Sequence, residues 1–142
     1  MEKGEPMRNK VLVIGCGRLG ANLAAIASEK GQNVLVIDKN EFAFDRLPES
    51  FSGYKIVGDA SDLSLLEEAY IKTAKEVIIA TGNDNVNLFL AHVSRIIYEV
   101  PSIFVRLDDP ERGVLLNGLD IKAIYPFELS LNKFKLMKGE DR

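Results

Sequence analysis

Six short apolar runs, separated by longer amphipathic stretches, constrain the fold of this chain more than any other feature of its sequence. Three of the runs, at residues 11–14, 34–37 and 77–80, are continuously apolar and rich in β-branched residues. Such runs are typical of strands in a parallel sheet that is covered on both faces. The remaining runs are at residues 55–57, 103–105 and 121–125.

The stretches between the runs have the apolar spacing of helices that pack one face against a sheet. The predicted faces are Leu19, Leu23, Ile26 and Ala27 before Gly31, then Leu63, Leu66, Ala69 and Tyr70, and then Val86, Phe89, Leu90, Val93 and Ile97 before Pro101. Strands and helices therefore alternate along the chain. With right-handed crossovers, this order predicts an α/β fold of the Rossmann type, with a doubly wound, mostly parallel six-stranded sheet in a single domain.

Three segments are predicted within the 142 residues. Residues 1–9 are polar and are expected to be a flexible leader, and residues 10–126 are expected to form the Rossmann domain. Residues 127–142 are expected to be a C-terminal helix or tail with apolar side chains such as Leu131 and Phe134. This tail either meets a partner, as a dimer or coupling element, or packs on its own sheet. The sequence leaves both alternatives open.

Charge and composition exclude several classes of function. The net charge is -3 and the pI is about 5.3, so no basic face for nucleic acid is expected. No apolar run approaches the roughly 20 residues of a membrane span. Cys16 is the only cysteine, which fits a reducing cytoplasm. No histidine and cysteine cluster has metal-ligand spacing, so no metal site is predicted.

The loop after the first run is a complete G-x-G-x-x-G motif, Gly15-Cys16-Gly17-Arg18-Leu19-Gly20. Gly15 permits the tight turn, Gly17 lets the backbone approach a pyrophosphate, and Gly20 lets the helix lie close to the strand. The helix that begins here points free N–H groups and a positive dipole end at an anion. Because a strand precedes the motif and a helix follows it, the context predicts a nucleotide-binding loop.

Asp38 ends the second run, 23 residues after Gly15. A carboxylate there can accept hydrogen bonds from both hydroxyls of an adenosine ribose, and it repels a 2′-phosphate. NADP is therefore disfavoured, although the neighbouring Lys39 partly offsets the repulsion. The alternative role of Asp38 is to cap the following helix. Arg18 either folds over the phosphates or is a solvated surface arginine.

Polar residues also follow the third, fourth and fifth runs, where parallel strands meet a ligand crevice. Asp59 can accept a hydrogen bond from the adenine amino group, or it can cap a helix, a task that Ser61 or Asp62 can perform instead. The turn 81–87 can contact the far half of a dinucleotide or terminal phosphates, while Asn83 or Asp84 caps the next helix. Arg106 can pair with phosphate.

Taken together, these segments resemble the potassium-transport nucleotide-binding family, the N-terminal lobe of Trk- and Ktr-type regulatory subunits and of conductance-regulating domains of potassium channels. The matching segments are 15–20, Asp38, 58–61, 65–69, 83–87, Arg106 and 109–111. The resemblance runs from about Lys10 to Tyr125. It rests most on the arginine inside the glycine loop, the Gly-Asp-Ala turn and the polar run after the fourth strand.

The resemblance implies that Arg18 and the loop backbone hold phosphates, while Asp38 holds the ribose and Asp59 the adenine end. It implies that Thr81, Asn83 and Asp84 line the second half of the cleft and that Arg106 faces phosphate. The candidate cofactor-binding residues are therefore Gly15, Gly17, Arg18, Leu19, Gly20, Asp38, Lys39, Asp59, Ala60, Thr81, Gly82, Asn83, Asp84, Asn87 and Arg106.

The family also implies a ligand, partners and a location. The ligand is NAD(H) or ATP/ADP, and the chain forms a homo-dimer or higher ring beside a membrane potassium transporter or channel subunit. The protein is then cytoplasmic, either free or held at the inner face of the membrane through its partner. Two features depart from the family. Asp108 stands where a second arginine is common, and the C-terminal lobe is expected to be absent or on another chain.

An enzyme would need a proton-transfer group and room for a substrate. The only histidine, His92, lies deep in a predicted helix, and no Tyr-x-x-x-Lys pair is found. No catalytic residue is therefore predicted, and the favoured function is a regulatory nucleotide-binding subunit that controls potassium transport by ligand-dependent conformational change. The alternatives are a small NAD-dependent oxidoreductase and a non-catalytic interaction domain.

Overall fold

Six parallel strands form one sheet in the order β3-β2-β1-β4-β5-β6. The computed structural model describes residues 10–139, so the predicted leader 1–9 lies outside the described residues. The strands are β1 (Lys10–Ile14), β2 (Asn33–Asp38), β3 (Tyr54–Val57), β4 (Glu76–Ile79), β5 (Ser102–Arg106) and β6 (Lys122–Ile124). All five neighbouring pairs are parallel. The Rossmann prediction is confirmed, and the sheet is entirely parallel.

Four α-helices connect or follow these strands. They are α1 (Arg18–Glu29), α2 (Leu63–Glu68), α3 (Asp84–His92) and α4 (Pro126–Lys138). A π-helical turn, Val93–Ile97, continues α3, and 3₁₀ helices cover Glu41–Arg46, Ile71–Thr73 and Pro110–Leu116. In the last of these, Asp109 caps the first turn by accepting a hydrogen bond from Glu111 N–H, as the Asp-Pro-Glu sequence predicts.

The helix α1 buries a different face from the one expected. Its buried residues are Gly20, Ala21, Ala24 and Ala27, whereas Ile26 is 49% exposed and Leu19 and Leu23 are only partly buried. Of the predicted stripe, Ala27 is buried and Leu23 packs partly buried against the core of this face, whereas Leu19 and Ile26 are not part of that core. The cause is close approach: a Cβ added to Gly20 would stand 1.8 Å from the carbonyl oxygen of Gly15. A helix held this near the sheet has room only for small side chains.

The faces of α2 and α3 agree better with the expected stripes. Leu66, Ala69, Leu90 and Val93 are buried in the core, but Tyr70, Phe89 and Ile97 are about half exposed. Tyr70 adopts a left-handed conformation at φ +66°, which ends the helical turn before it can face the core. In α3, Asn87 takes an inward position instead of an apolar residue.

Helices lie on both faces of the sheet, and this arrangement positions the site. The helix α1 and the 3₁₀ helix Glu41–Arg46 pack on one face, while α2 and α3 pack on the other. On the α1 face, the helix covers β1 and β2, whereas Phe104 of β5 and Ile124 of β6 remain partly exposed. The chain reverses its direction of winding between β1 and β4, where ligands bind in this class of fold.

The C-terminal helix α4 buries none of its residues. Its exposed apolar side chains are Phe127, Leu129, Leu131, Phe134, Leu136 and Met137. The sequence left two alternatives open for this segment, and the structure does not show the one in which α4 packs on its own sheet. Within residues 10–139, no helix is both long and apolar enough to traverse a bilayer.

Candidate functional site

A cleft of about 440 Å³ opens at the carboxyl ends of β1, β2, β3, β4 and β5. Its volume lies within the range of small-molecule binding pockets. Ten of the fifteen candidate residues line it: Gly15, Gly17, Asp38, Lys39, Asp59, Ala60, Thr81, Gly82, Asn83 and Arg106. The carboxyl ends of five strands thus meet at one cleft, as the sequence predicts. The other five candidate residues lie behind or beside this cleft.

The glycine loop has the geometry that its sequence predicts. Gly15 has φ +100°, and a Cβ there would stand 2.7 Å from the carbonyl group of Ala80, so the turn requires glycine. A Cβ on Gly17 would meet nothing within 4 Å, because this position faces the open cleft. Gly17 is the N-cap of α1, with no side-chain cap. The first-turn N–H groups of α1 are therefore available to an anion.

Asp38 is fixed by two backbone donors. Its Oδ2 accepts a hydrogen bond from Cys16 N–H of the glycine loop at 2.8 Å, and its Oδ1 accepts one from Asn40 N–H at 2.8 Å. Each oxygen keeps a further acceptor site, so the carboxylate can still receive ribose hydroxyls. The capping role belongs to Asn40, which accepts from Phe42 N–H at the start of the 3₁₀ helix. The acid is therefore free to face the cleft.

Cys16 is buried behind this carboxylate. Burial, and then the charge of Asp38, raise the pKa of the Cys16 thiol, so the thiol stays protonated at neutral pH. A protonated, enclosed thiol is a poor nucleophile.

Asp59 stands at the end of β3 as a second acid of the cleft. Its Oδ1 accepts from Ser61 Oγ–H at 2.6 Å and from Ser61 N–H at 2.9 Å. The side-chain hydrogen bond, followed by the backbone one, lowers the pKa of the Asp59 carboxyl, so it is charged at neutral pH. The cap of α2 is Asp62, which accepts from Ser64 N–H. Asp59 therefore does not cap that helix.

The structure corrects the expectation that Asn87 contacts a cofactor. Asn87 is fully buried, and its Nδ2 donates to the carbonyl oxygens of Thr81 at 3.0 Å and Arg106 at 2.8 Å. Its Oδ1 accepts from the hydroxyl of Thr81. The amide therefore ties the end of β4 to the end of β5 from beneath the cleft.

Asp84 is also not a lining residue. Its two carboxylate oxygens accept from the backbone N–H groups of Asp108 at 2.8 Å and Asp109 at 3.0 Å. It thereby joins the start of α3 to the loop after β5. Asn83 caps α3 by accepting from Val86 N–H at 3.0 Å and also lines the cleft. Of the two predicted caps, Asn83 is the one observed.

Three candidates of the glycine loop lie outside the lining. Arg18 is exposed as the first residue of α1, Leu19 is half-buried, and Gly20 packs beneath Gly15. Gly20 therefore shapes the loop but presents nothing to a ligand. Arg18 has the exposed position that both of its predicted roles require.

Arg106 supplies a guanidinium to the second half of the cleft. Its side chain is 28% exposed, and its Nε donates to Asp108 Oδ1 at 3.1 Å. Among the residues that line the cleft, Arg106 and Lys39 are the cations, and Asp38 and Asp59 are the anions. The lining charges therefore sum to zero before Asp108 is included.

Six lining residues were not predicted from the sequence: Ile14, Ile37, Gly58, Ser61, Ala80 and Val86. Most of these are apolar residues at or just after strand ends. Position is the signal that can find them, since each is adjacent in sequence to one of the fifteen candidate residues. No cluster of histidine, cysteine or acidic residues suited to a metal ion occurs among residues 10–139.

Comparison with known proteins identifies the family that the sequence motifs resemble. The family model for the TrkA-N domain matches residues 11–126. The chain is 33% identical over 114 residues to the Trk system potassium uptake protein TrkA of Streptomyces coelicolor, covering 80% of this chain and 51% of that protein. It is 30% identical over 114 residues to a TrkA homologue of Pyrococcus horikoshii, covering 80% and 49%. The chain thus spans about half the length of the curated relatives it matches.

Solved structures of the same architecture are also similar. The GsuK channel bound to NAD matches with a TM-score of 0.77 and 27% identity, over 95% of this chain and 24% of that chain. GsuK bound to ADP matches with a TM-score of 0.77 and 25% identity, over 94% and 35%. Because the family model covers most of the described residues, the resemblance found in the sequence is confirmed: this chain belongs to the TrkA-N domain family.

Proposed function

We propose that this chain is a regulatory module that binds an adenine nucleotide and controls a potassium transport system. The observation that carries the proposal is the pairing of the uncapped N-terminus of α1 with Asp38, whose carboxylate is fixed by the glycine loop itself. The N-terminus of α1 can bind a diphosphate, and the Asp38 carboxylate can accept hydrogen bonds from the two hydroxyls of a ribose. Both groups face the same cleft. The relatives named for potassium uptake support the transport role.

In this proposal the pyrophosphate lies over Gly17, the adenosine ribose meets Asp38, and the adenine end lies towards Asp59. Thr81, Asn83 and Arg106 then face the far half of the ligand. The native ligand is NAD(H) or ATP/ADP, since the similar GsuK structures hold NAD and ADP. NADP is disfavoured because its 2′-phosphate would lie against the Asp38 carboxylate.

We propose that the bound nucleotide regulates and does not react. His92 lies outside the cleft lining, with its Nδ1 within 2.8 Å of the carbonyl oxygen of Leu88. The carboxylates of Asp38 and Asp59 are both held as hydrogen-bond acceptors. Regulation then requires that the ligand has different affinities for two arrangements of the assembly, since only such a difference can shift their populations.

The proposed assembly is a homo-dimer, or a ring built from dimers, through α4. An isolated helix of this length is marginal in water, and α4 has no buried residue within the part of the chain that the structure describes. Phe104 and Ile124 remain partly exposed on the α1 face of the sheet. Two copies related by a two-fold axis can each cover the other's sheet face with α4, which satisfies both surfaces. The ring would lie in the cytoplasm and contact a membrane potassium transporter or channel subunit.

The ligand proposal is tested by thermal denaturation with NAD, NADH, NADP, ATP, ADP and AMP. A true ligand at saturating concentration raises the melting temperature by mass action. The rise is expected to vanish in Asp38→Asn and to persist in Asp45→Asn, an exposed acid on the neighbouring 3₁₀ helix. The absence of any rise in the unmodified protein, or an equal rise in Asp38→Asn, would contradict the proposal.

The assembly proposal is tested by light scattering after size-exclusion chromatography. Leu131→Asp and Phe104→Asp are each expected to give a monomer. Phe42→Asp serves as the matched control, because Phe42 is 72% exposed on the 3₁₀ helix Glu41–Arg46, which contacts α1 and β2. An unchanged mass for both interface variants would rule out the proposed dimer, in which the α4 of each copy covers the sheet face of the other. A change of mass in the control as well would indicate nonspecific association.

A further inference from the structure

The loop that follows β5 is held in place by several independent contacts. Leu107 is fully buried, and its N–H donates to the carbonyl oxygen of Ile124 at 3.0 Å. The N–H groups of Asp108 and Asp109 both donate to the carboxylate of Asp84. Asp109 also caps the next 3₁₀ helix. The backbone at Asp108 therefore has a fixed position next to the cleft.

From this fixed position the Asp108 side chain reaches Arg106, the cation in the second half of the cleft. Asp108 is half exposed, and its Oδ1 lies 3.1 Å from Nε of Arg106. Asp108 thus places a negative charge beside the guanidinium in the second half of the cleft. With that charge included, the formal charge of the cleft residues changes from zero to -1.

Two classes of adenine nucleotide differ in what they would place beside this pair. A nucleoside di- or triphosphate brings terminal phosphate charge, which Arg106 attracts and Asp108 repels. A dinucleotide brings a second nucleoside, which carries no terminal phosphate and, in oxidised nicotinamide, a positive ring. Near a protein surface, one unit charge at a few ångströms is sufficient to change affinity by about tenfold.

We propose that Asp108 is a selectivity residue that biases the cleft towards dinucleotides and against nucleoside di- and triphosphates, by engaging Arg106 and repelling terminal phosphate. The inference rests on the proposed function and narrows its ligand class to NAD(H). Asp108 acts on the ligand through its charge and through Arg106. Its effect is therefore expected to appear in the ratio of the affinity for ATP to the affinity for NAD.

The experiment measures the dissociation constants of NAD and ATP by calorimetry in the unmodified chain, Asp108→Asn and Glu111→Gln. Asp108→Asn keeps the backbone N–H that donates to Asp84 and removes the charge. Glu111→Gln makes the same change of net charge three residues later, at an exposed position. We expect Asp108→Asn to strengthen ATP binding relative to NAD by about tenfold at low salt. We expect this gain to shrink at 0.5 M salt.

A double-mutant cycle gives a second readout that a merely structural role would not change. In an Arg106→Gln background, Asp108→Asn is expected to alter the ATP-to-NAD ratio less, because the guanidinium that it frees is missing. An unchanged ratio in Asp108→Asn, or an equal change in Glu111→Gln, would overturn the selectivity role while nucleotide binding stands. If the unmodified chain and Asp108→Asn bind neither nucleotide, the proposed function fails as well.

Discussion

The two halves of the cleft are built by different means. On the side of β1, β2 and β3, backbone conformation shapes the site: Gly15 turns at positive φ, Gly20 lets α1 approach, and Asp38 receives two backbone N–H groups. On the side of β4 and β5, side chains hold the backbone from below and beside: Asn87 joins two strand ends, and Asp84 fixes the next loop.

This difference decides which half a local motif can describe. In the first half, the positive φ of Gly15 and the approach of Gly20 to Gly15 are local requirements, which a short motif contains. The close approach of Gly15 to Ala80 and the bond of Cys16 to Asp38 also depend on the assembled sheet. In the second half, Asn87 bonds Arg106 across 19 positions and Asp84 bonds Asp108 across 24. Such contacts exist only after the sheet has formed. The following variants test whether stability in the two halves has these separate origins.

The largest loss of stability is expected for Gly20→Ala. Its Cβ would lie 1.8 Å from the carbonyl oxygen of Gly15, so α1 and the loop must separate. The gain in helix propensity, about 1 kcal/mol, cannot offset a backbone clash that costs about 3 kcal/mol or more. Urea denaturation measures the free energy of unfolding. A value equal to that of the unmodified chain would show that the loop does not need the close approach.

Asn87→Leu tests the second half, with an expected loss of about 2–3 kcal/mol. The substitution keeps the number and branching of the side-chain heavy atoms but leaves the carbonyl oxygens of Thr81 and Arg106 without their buried donor. Asn85→Ala is the control, since Asn85 is exposed on the same helix and its hydrogen bond from Arg112 is at the surface, so its loss is expected to change stability by about 0.5 kcal/mol or less. Equal losses in the two variants would refute the tie between the strands.

Lys10→Met tests the first residue of β1, at the end of the strand away from the cleft. The substitution is expected to stabilise the protein by about 1–3 kcal/mol near pH 7. Lys10 is fully buried, its Nζ lies 5.0 Å from the centre of the Tyr70 ring, and that nitrogen has no hydrogen-bond partner among residues 10–139. Burial lowers the pKa of the Lys10 ammonium to about 8. A buried charge that is compensated only by the face of an aromatic ring opposes folding.

The lowered pKa of Lys10 determines how the stability difference between the two proteins changes with pH. Below about pH 8 the lysine is charged in both states, so the unfavourable term is fully present. Between about pH 8 and its ordinary value of 10.5, the unfolded chain binds more protons and the unmodified protein gains stability as pH rises. The advantage of Lys10→Met should therefore shrink from pH 7 to pH 10. A constant difference across this range would exclude charge burial as its cause.

The smallest effect on stability is expected for Gly17→Ala, which separates folding from binding. Its backbone is extended at φ −78°, and the added Cβ meets nothing within 4 Å, so the free energy of unfolding should change by about 0.5 kcal/mol or less. Nucleotide affinity should nevertheless fall, because the methyl group occupies the space where the pyrophosphate would lie. Unchanged affinity by calorimetry would place the phosphates elsewhere.

Much of the site could be predicted because strand ends in a parallel sheet share one edge. Gly15 follows β1, Asp38 is the last residue of β2 and Asp59 lies two residues after β3, so finding the strands also located these residues in the cleft. Asn87 was misjudged because its polarity resembles that of its neighbours, while its burial depends on where α3 packs. The apolar face of α1 was misjudged for a similar reason, since residue size and not hydrophobicity decides which side fits against the sheet.

The sequence by itself determined the order of strands and helices along the chain, the glycine turn at positive φ and the position of Asp38. Periodicity and backbone conformation are properties of neighbouring residues, and they can be recognised before any packing is known. Only the tertiary structure decided the burial of Asn87, the bonding of Asp84 to the loop after β5 and the exposure of α4. These depend on distances between elements far apart in the chain, which close packing sets only once the sheet is assembled.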